Sequence, residues 1–186
     1  MGLFDSLMGR SQPAKPNLDQ LFAIPSAAIT LQVSLDALPT GTGTVAFRAP
    51  EGKAFADVIA DVEQLLTATS NPELQATQDT YGYTWLTIRN ADISDLVNGP
   101  HAVNVSLQDA GFGPQLLCSL VSFQRGDQPF ALVYLYKRGT FYPFAPKGEP
   151  RRDNILELQL RDLLASDLPL EADMTRWFPV LGAPGL

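Results

Sequence analysis

LLCSLVSFQRGDQPFALVYLYKRGTFYPFAP, residues 116–146, is the stretch that decides the predicted fold. Its two apolar runs, 116–123 and 130–136, are rich in Leu, Val, Phe and Tyr, which favour a pleated and buried surface. The polar residues 125–128 lie between the runs, and Gly126 supplies the backbone freedom that a short connection requires. Pro129 has no N–H group and begins the second run, where a missing ladder bond costs least. We therefore predict a β-hairpin at the centre of a sheet.

Composition restricts the classes of protein to consider. The chain has 186 residues, of which 45% are hydrophobic, and this is enough for one domain with a substantial core. Its net charge of −7 repels phosphate backbones and argues against nucleic-acid binding. The single cysteine, Cys118, excludes an internal disulfide and leaves no thiolate pair for zinc.

No signal for a membrane span or for secretion is evident in the sequence. We find no apolar run of about 18 residues and no basic, apolar and small-residue leader. The expected location is therefore the cytoplasm, with a peripheral position at the inner face of the cell membrane as an extension of this expectation.

The first residues form a segment of their own. Leu3, Phe4, Leu7 and Met8 follow a helical spacing, and a polar, proline-containing linker separates them from the rest. We predict an amphipathic N-terminal tip with its linker at residues 1–16, and a single α+β domain with a packed C-terminal tail at residues 17–186. The apolar side of the tip would contact a membrane or a partner; the alternative is a frayed terminus or one that packs on its own domain.

Short elements are predicted on the N-terminal side of the hairpin. A helix is predicted at residues 17–23, ended by Pro25. Strict alternation at residues 28–35 indicates a strand with one buried face. The run Thr-Gly-Thr-Gly-Thr at residues 40–44 indicates a turn before a second strand at 45–48, and because a strand follows it, its glycines do not indicate dinucleotide binding.

The middle of the chain contains the clearest helix, at residues 54–67, whose apolar stripe would cover the sheet. A pair of strands is predicted at 73–78 and 83–89. In the second strand Tyr83 and Trp85 share one face. These aromatic residues would form either an exposed patch or a second small core, and we favour the core.

The remaining elements complete the predicted fold class. Asp92 would cap a helical turn, Pro100 would begin a continuing helix to residue 110, and Asp153 would cap a last helix to residue 165. In the tail, Trp177 and Phe178 would hold the chain end against the body. This order predicts a single α+β domain, with an antiparallel or mixed sheet of about six strands and helices mainly on one face. The opposite face would be free for docking.

Catalytic machinery is not visible in the sequence. His101 is the only histidine, and with Cys118 it makes the only candidate pair of base and nucleophile. A thiol in the middle of a buried strand has a raised pKa and little access to substrate. Without a metal-binding or phosphate-binding motif, we predict no enzyme activity, no metal and no cofactor.

Basic and aromatic residues cluster after the hairpin. One interpretation is a surface that accepts an acidic partner segment or a phosphate, with aromatic anchors and Arg as a bidentate donor. The other is that the cations neutralise the chain's own carboxylates while the aromatic rings fill the edge of the core. The predicted partner-binding surface comprises Lys137, Arg138, Phe141, Tyr142, Phe144, Arg151 and Arg152.

Several stretches resemble one family across the whole chain. They are TYGYTW at 80–85, LLCSLVSF at 116–123, LVYLYKRGTFYPFAP at 132–146, RRDNILELQ at 151–159 and RWFPVLGAPGL at 176–186, together with the opening residues 1–23. These stretches are similar to the PspA-associated PspAB family of actinobacteria and archaea. The resemblance implies a cytoplasmic, non-enzymatic accessory of the phage-shock envelope-stress response that is associated by gene neighbourhood with PspA and with an HtpX-like membrane metalloprotease. It carries no catalytic residues to this chain.

An alternative function comes from the predicted order of elements, which is similar to that of YbjN-type proteins and secretion chaperones. A chaperone-like module would be a homodimer that buries the last helix or the central strands, with a groove for client segments. The oligomeric state would separate this alternative from the adaptor.

Overall fold

A computed structural model describes residues 16–69, 73–148 and 150–186. The described residues form four α-helices, six β-strands and three short 3-10 helices. The α-helices are α1 (Ile24–Leu35), α2 (Lys53–Thr69), α3 (Ile93–Asp109) and α4 (Asn154–Leu164). The strands are β1 (Leu38–Phe47), β2 (Glu73–Gln78), β3 (Thr84–Arg89), β4 (Leu116–Arg125), β5 (Gln128–Leu135) and β6 (Thr140–Phe144). The 3-10 helices are Leu18–Ala23, Gly113–Gln115 and Met174–Arg176.

All six strands belong to one open sheet in the order β2-β3-β1-β4-β5-β6. Every neighbouring pair is antiparallel. The predicted hairpin is β4 and β5: Arg125 pairs with Gln128, and Gly126 takes a positive φ of 55° in the two-residue turn between them. The predicted α+β class, single domain and strand number are confirmed.

The helices cover one face of the sheet and form the larger core with it. Helix α3 lies very close to β1 and β3 because glycines occupy the contact points. A Cβ atom on Gly99 would lie 2.9 Å from the side chain of Ile88, and one on Gly43 would lie 3.3 Å from Leu96 and Pro100. Carbon atoms pack at about 3.5–4.0 Å, so larger residues would push this helix away.

The opposite face carries a second, smaller core. Here Trp177, Val180 and Ala183 of the C-terminal segment, residues 168–186, cover strand residues that include Trp85 and Cys118. The predicted second core around Trp85 is confirmed. The prediction that this face is free for docking is wrong for most of its area, because the chain's own end lies on it.

Residues 28–35 belong to helix α1, so the predicted strand is wrong. Pro25 was expected to end the preceding helix, but it lies in the first turn of α1, where its missing N–H costs nothing. Asp36 ends the helix in the left-handed conformation, with φ of 54°. The alternation of apolar and polar residues predicted a strand incorrectly, because the residues that face the core include the small Ala27 and Ala28, whereas Val33 is 82% exposed.

Three other predicted boundaries change. Residues 40–44, expected to form a turn, lie within β1, where a register shift occurs between Pro39 and Gly43. The two helical pieces expected after Asp92 form one continuous α3 with Pro100 inside it. Strand β6 was not predicted; it replaces the false strand at 28–35, so that the number of strands remains six.

The combined helix Leu18–Leu35 corrects the expectation that no sufficiently long apolar run exists. Its mean hydropathy is 1.2 over 18 residues, which by length and composition alone is enough to cross a membrane. A core helix passes the same test, and this one contributes Leu21, Ile24 and Leu31 to the larger core.

Candidate binding groove

An apolar groove of about 640 Å³ opens on the second face, beside the C-terminal segment. Its wall on one side is the end of the β2–β3 hairpin, and on the other side residues 178–181. Strand residues form the floor: Trp85, Cys118, Leu135 and Tyr142. A smaller hollow of about 380 Å³ shares Tyr83, Leu116, Leu117 and Lys137 with the groove and extends it toward Arg48.

Three large apolar side chains at the groove are exposed to solvent. Tyr81 is 80% exposed, Phe178 57% and Leu117 37%. Full burial of such a side chain is worth about 1.5–3 kcal/mol, so together they favour contact with another apolar group. This groove was not predicted from the sequence, because its residues come from segments that are distant from one another along the chain.

Asp79 organises the hairpin wall. One carboxylate oxygen accepts hydrogen bonds from the backbone N–H groups of Tyr81 and Tyr83, both at 2.9 Å, and the other accepts from Nε1 of Trp85 at 3.0 Å. Burial raises the pKa of Asp79, but these hydrogen bonds outweigh burial and lower it below its ordinary value. The ionised carboxylate therefore fixes both the turn and the indole ring of the floor.

The opposite wall is held by hydrogen bonds to the chain's own end. The hydroxyl of Tyr142 donates to the carbonyl oxygen of Phe178 at 2.8 Å, and Nε1 of Trp177 donates to that of Glu171 at 3.0 Å. Residues 169–171 also bond to both backbone groups of Phe141, at 2.8 and 2.7 Å. This wall is thus a fixed part of the fold.

Cationic side chains border the groove at the end where β5 turns into β6. Lys137 is exposed and makes no salt bridge with any described residue. Arg138 donates from Nε to Glu171 at 2.8 Å, and Arg176 donates to Asp173 at 3.0 Å. Arg48 lies 4.9 Å from the ring centre of Tyr83.

The predicted basic and aromatic surface is only partly a surface. Phe141 and Phe144 are 0% exposed and cannot be anchors for a partner in this structure, and Tyr142, in the floor of the groove, is only 1% exposed. The alternating pattern of β6 sends Phe141 into the larger core and the other two rings into the smaller core. For these rings the second interpretation, filling of the core, is correct.

The predicted cations separate into two groups. Arg138 and Arg152 neutralise the chain's own Glu171 and Glu157, with Nε to carboxylate distances of 2.8 Å in both pairs. Lys137 lies at the groove, whereas Arg151 is exposed away from the residues that line it. Of the four predicted cations, Lys137 is thus the one that the described structure places at the groove without a carboxylate partner. The predicted tip residues Leu3, Phe4, Leu7 and Met8 lie outside the described residues.

The candidate base and nucleophile are not brought together. His101 lies on α3 at the helix-covered face, where its ring packs 4.5 Å from that of Phe22 and its Nε2 lies 3.3 Å from Asp19. Cys118 is in the smaller core on the other face, and burial raises the pKa of its thiol to about 12. The sheet separates the two side chains.

Surfaces that a homodimer was expected to bury are largely used within the chain. Leu156, Leu160 and Leu164 of α4 already face the larger core. The central strands are covered by helices on one face and, on the other, mainly by the C-terminal segment.

The fold and the groove define an α+β protein with an open antiparallel sheet and an apolar groove on the face opposite the helices. The family model of PspA associated protein B matches residues 1–185. The chain therefore belongs to this family, as its sequence stretches indicated, and the family name links it to PspA. Comparison with curated proteins and with solved structures gives no match.

Proposed function

We propose that this protein is a non-enzymatic accessory of the phage-shock envelope-stress response that binds an apolar segment of a PspA-type or membrane-associated partner in the groove. The observation that carries this proposal is the convergence of Tyr81, Leu117 and Phe178, all solvent-exposed, around one apolar cavity. Contiguous exposed apolar surface is typical of interaction sites, because leaving it in water costs free energy.

The charges at the groove define the kind of segment that fits. Lys137 and Arg138 lie at one end and Arg48 lies beside the adjoining hollow. An amphipathic helix with an apolar stripe and acidic flanks would place its stripe on the floor and its carboxylates near these cations. The proposed partner segment therefore has this composition, and the protein would meet it in the cytoplasm or at the inner face of the membrane.

The test uses a charge placed in the groove at an exposed position. Leu117→Glu substitutes a side chain that is 37% exposed, so the fold should tolerate it. The loss of its apolar contact and the burial of a carboxylate should weaken binding of a purified PspA-type protein at least about tenfold, which corresponds to about 1.4 kcal/mol.

The matched control is Ile155→Glu, because Ile155 is 72% exposed on α4 and does not line the groove. It should bind like the unchanged chain in the same calorimetric titration. If Leu117→Glu and the control bind the PspA-type protein with equal affinity, and circular dichroism is unchanged in both, the groove is not the binding site.

A further inference from the structure

The described chain begins beside the turn between β5 and β6, two residues of which border the groove. The carbonyl oxygen of Asn17 accepts a hydrogen bond from the hydroxyl of Tyr134 at 2.9 Å. A Cβ atom on Gly139 would lie 3.6 Å from the backbone nitrogen of Asn17, so Asn17 packs against the turn between β5 and β6. Lys137 and Arg138, which border the groove, belong to the same turn. Residues 1–15 therefore join the described structure close to the turn that carries these two cations.

The length of chain before this point is sufficient to reach the groove. Leu3, Phe4, Leu7 and Met8 are followed by seven residues, 9–15, before the described part begins. Seven residues span at most about 23–25 Å when extended, at about 3.3–3.6 Å per residue. Because Lys137 and Arg138 line the groove and lie within two residues of Gly139, which Asn17 contacts, a tether of this length is compatible with entry of the apolar tip into the groove.

The chemistry of the segment matches that of the groove. Its four large apolar residues share one side at helical spacing, which suits an apolar floor flanked by Tyr81, Leu117 and Phe178. Asp5 is the one acidic residue in positions 1–15 and lies among these apolar residues, whereas the two cations of this segment, Arg10 and Lys15, follow the apolar residues in the sequence. Lys137 at the groove makes no salt bridge with a described residue and is available to pair with it.

We propose that residues 1–10 bind in the groove of their own chain and compete there with the partner segment. The competition rests on the proposed function, whereas the docking does not. A short flexible tether gives an effective concentration of about 1 mM, so a segment with an intrinsic Kd of only about 0.1 mM would occupy the groove about nine-tenths of the time. The partner would then bind about tenfold more weakly than to an empty groove.

Docking is tested on the full chain without any partner. Ser6 lies off the apolar side by its spacing, and a nitroxide on Ser6→Cys would broaden the amide signals of nearby residues in nuclear magnetic resonance spectra. The native Cys118 is buried with a raised pKa and should remain unlabelled. We expect loss of signal at Tyr81, Leu117 and Lys137, and no loss at Ile155 on α4.

Two variants and a mixed sample decide the interpretation. Phe4→Glu should restore the lost signals, and Leu117→Glu should restore those of Tyr81 and Lys137. Ile155→Glu should leave the broadening unchanged. If broadening is absent in the full chain, or arises only between labelled and unlabelled copies in a mixture, docking within one chain is refuted.

The partner assay separates the two proposals. Phe4→Glu should raise the affinity for a purified PspA-type protein about tenfold, because the groove is then empty. If the groove signals broaden but Leu117→Glu binds the partner normally, the docking stands and the proposed function fails. If Leu117→Glu weakens binding of the partner but no amide signal of the groove broadens, the proposed function stands and the docking is refuted. Broadening with no gain in affinity from Phe4→Glu would refute the competition.

Discussion

Substitution of Arg152 by Ala should strongly destabilise the protein, because this side chain joins three parts of the fold. Its Nε donates to both carboxylate oxygens of Glu157, at 2.9 and 2.8 Å, and Nη1 donates to the carbonyl oxygen of Trp177 at 2.6 Å. The guanidinium lies 5.1 Å from the ring centre of Phe144. Glu157 in turn accepts from the backbone N–H of Ala145 at 2.9 Å. The pair thus connects α4, the end of β6 and the wall of the groove.

The expected loss of unfolding free energy depends on how deeply Glu157 and Arg152 are each buried. Glu157 has a side chain that is 2% exposed, so Arg152→Ala would leave a buried carboxylate without its cation. Breaking a buried pair in this way costs about 3–5 kcal/mol. Since the side chain of Arg152 is itself 22% exposed and water can partly replace it, we expect a value at the lower end, about 3 kcal/mol.

The destabilisation caused by Arg152→Ala should be smaller at acid pH. Burial raises the pKa of Glu157, and the hydrogen bonds from Arg152 and Ala145 offset only part of this rise. Removing Arg152 raises the pKa of Glu157 further. When the pKa of a carboxyl group is higher in the folded state than in the unfolded state, the folded protein becomes less stable as the pH rises above the unfolded-state pKa. The stability of the variant should therefore be closest to that of the unchanged chain at low pH.

The assay is urea unfolding together with thermal unfolding of Arg152→Ala and of Arg151→Ala, an exposed neighbour that serves as the control. For a chain of this size, a loss of about 3 kcal/mol lowers Tm by about 6–12 °C. The control should remain within about 0.5 kcal/mol. If Arg152→Ala also remains within about 1 kcal/mol of the unchanged chain at neutral pH, the assigned role of the pair is wrong.

Two further predictions concern buried ionisable groups. Burial raises the pKa of Glu171, but hydrogen bonds from Arg138, the backbone N–H of Asp173 and Thr140 outweigh it and lower the pKa below its ordinary value of 4.5. Its contribution to stability is present above this value and is lost as the pH falls through the lowered pKa, so Glu171→Gln should flatten the acid end of a plot of unfolding free energy against pH. For Cys118, burial raises the pKa of the thiol to about 12 and shields it from reagent, so alkylation should be much slower in the folded chain than in urea; rapid alkylation of the folded chain would contradict its burial.

The elements that could be predicted from the sequence are those with strong local signals. Helix α2 has a broad apolar stripe, and the caps of α3 and α4 are the predicted ones: Asp92 accepts from two backbone N–H groups of the first turn, and Asp153 accepts from that of Leu156. The hairpin β4–β5 has its turn residues and two apolar runs. In each case a contact between near neighbours determines the structure.

The errors occur where contacts between distant residues decide. Helix α1 carries Ile29 and Val33 on its exposed side, so its pattern resembles a half-buried strand, and only the packing of Ala27 and Ala28 identifies the true inner face. The aromatic residues of β6 were predicted to lie on the surface because basic residues surround them in the sequence. They are buried because the C-terminal segment, more than 20 residues later in the chain, covers Tyr142 and Phe144.

Salt limits the effects of both the net charge of −7 and the cationic end of the groove to short distances, and this determines how an acidic segment would be recognised. Charges separated by more than about 8 Å are largely screened at physiological salt, so neither the repulsion by the whole chain nor the attraction by Lys137 extends far into solution. Lys137 therefore acts on a segment already in contact with the groove. The floor supplies the apolar contact, and Lys137 supplies a short-range ion pair. We therefore expect the affinity to depend mainly on a slow dissociation rate, and the association rate to depend only weakly on salt.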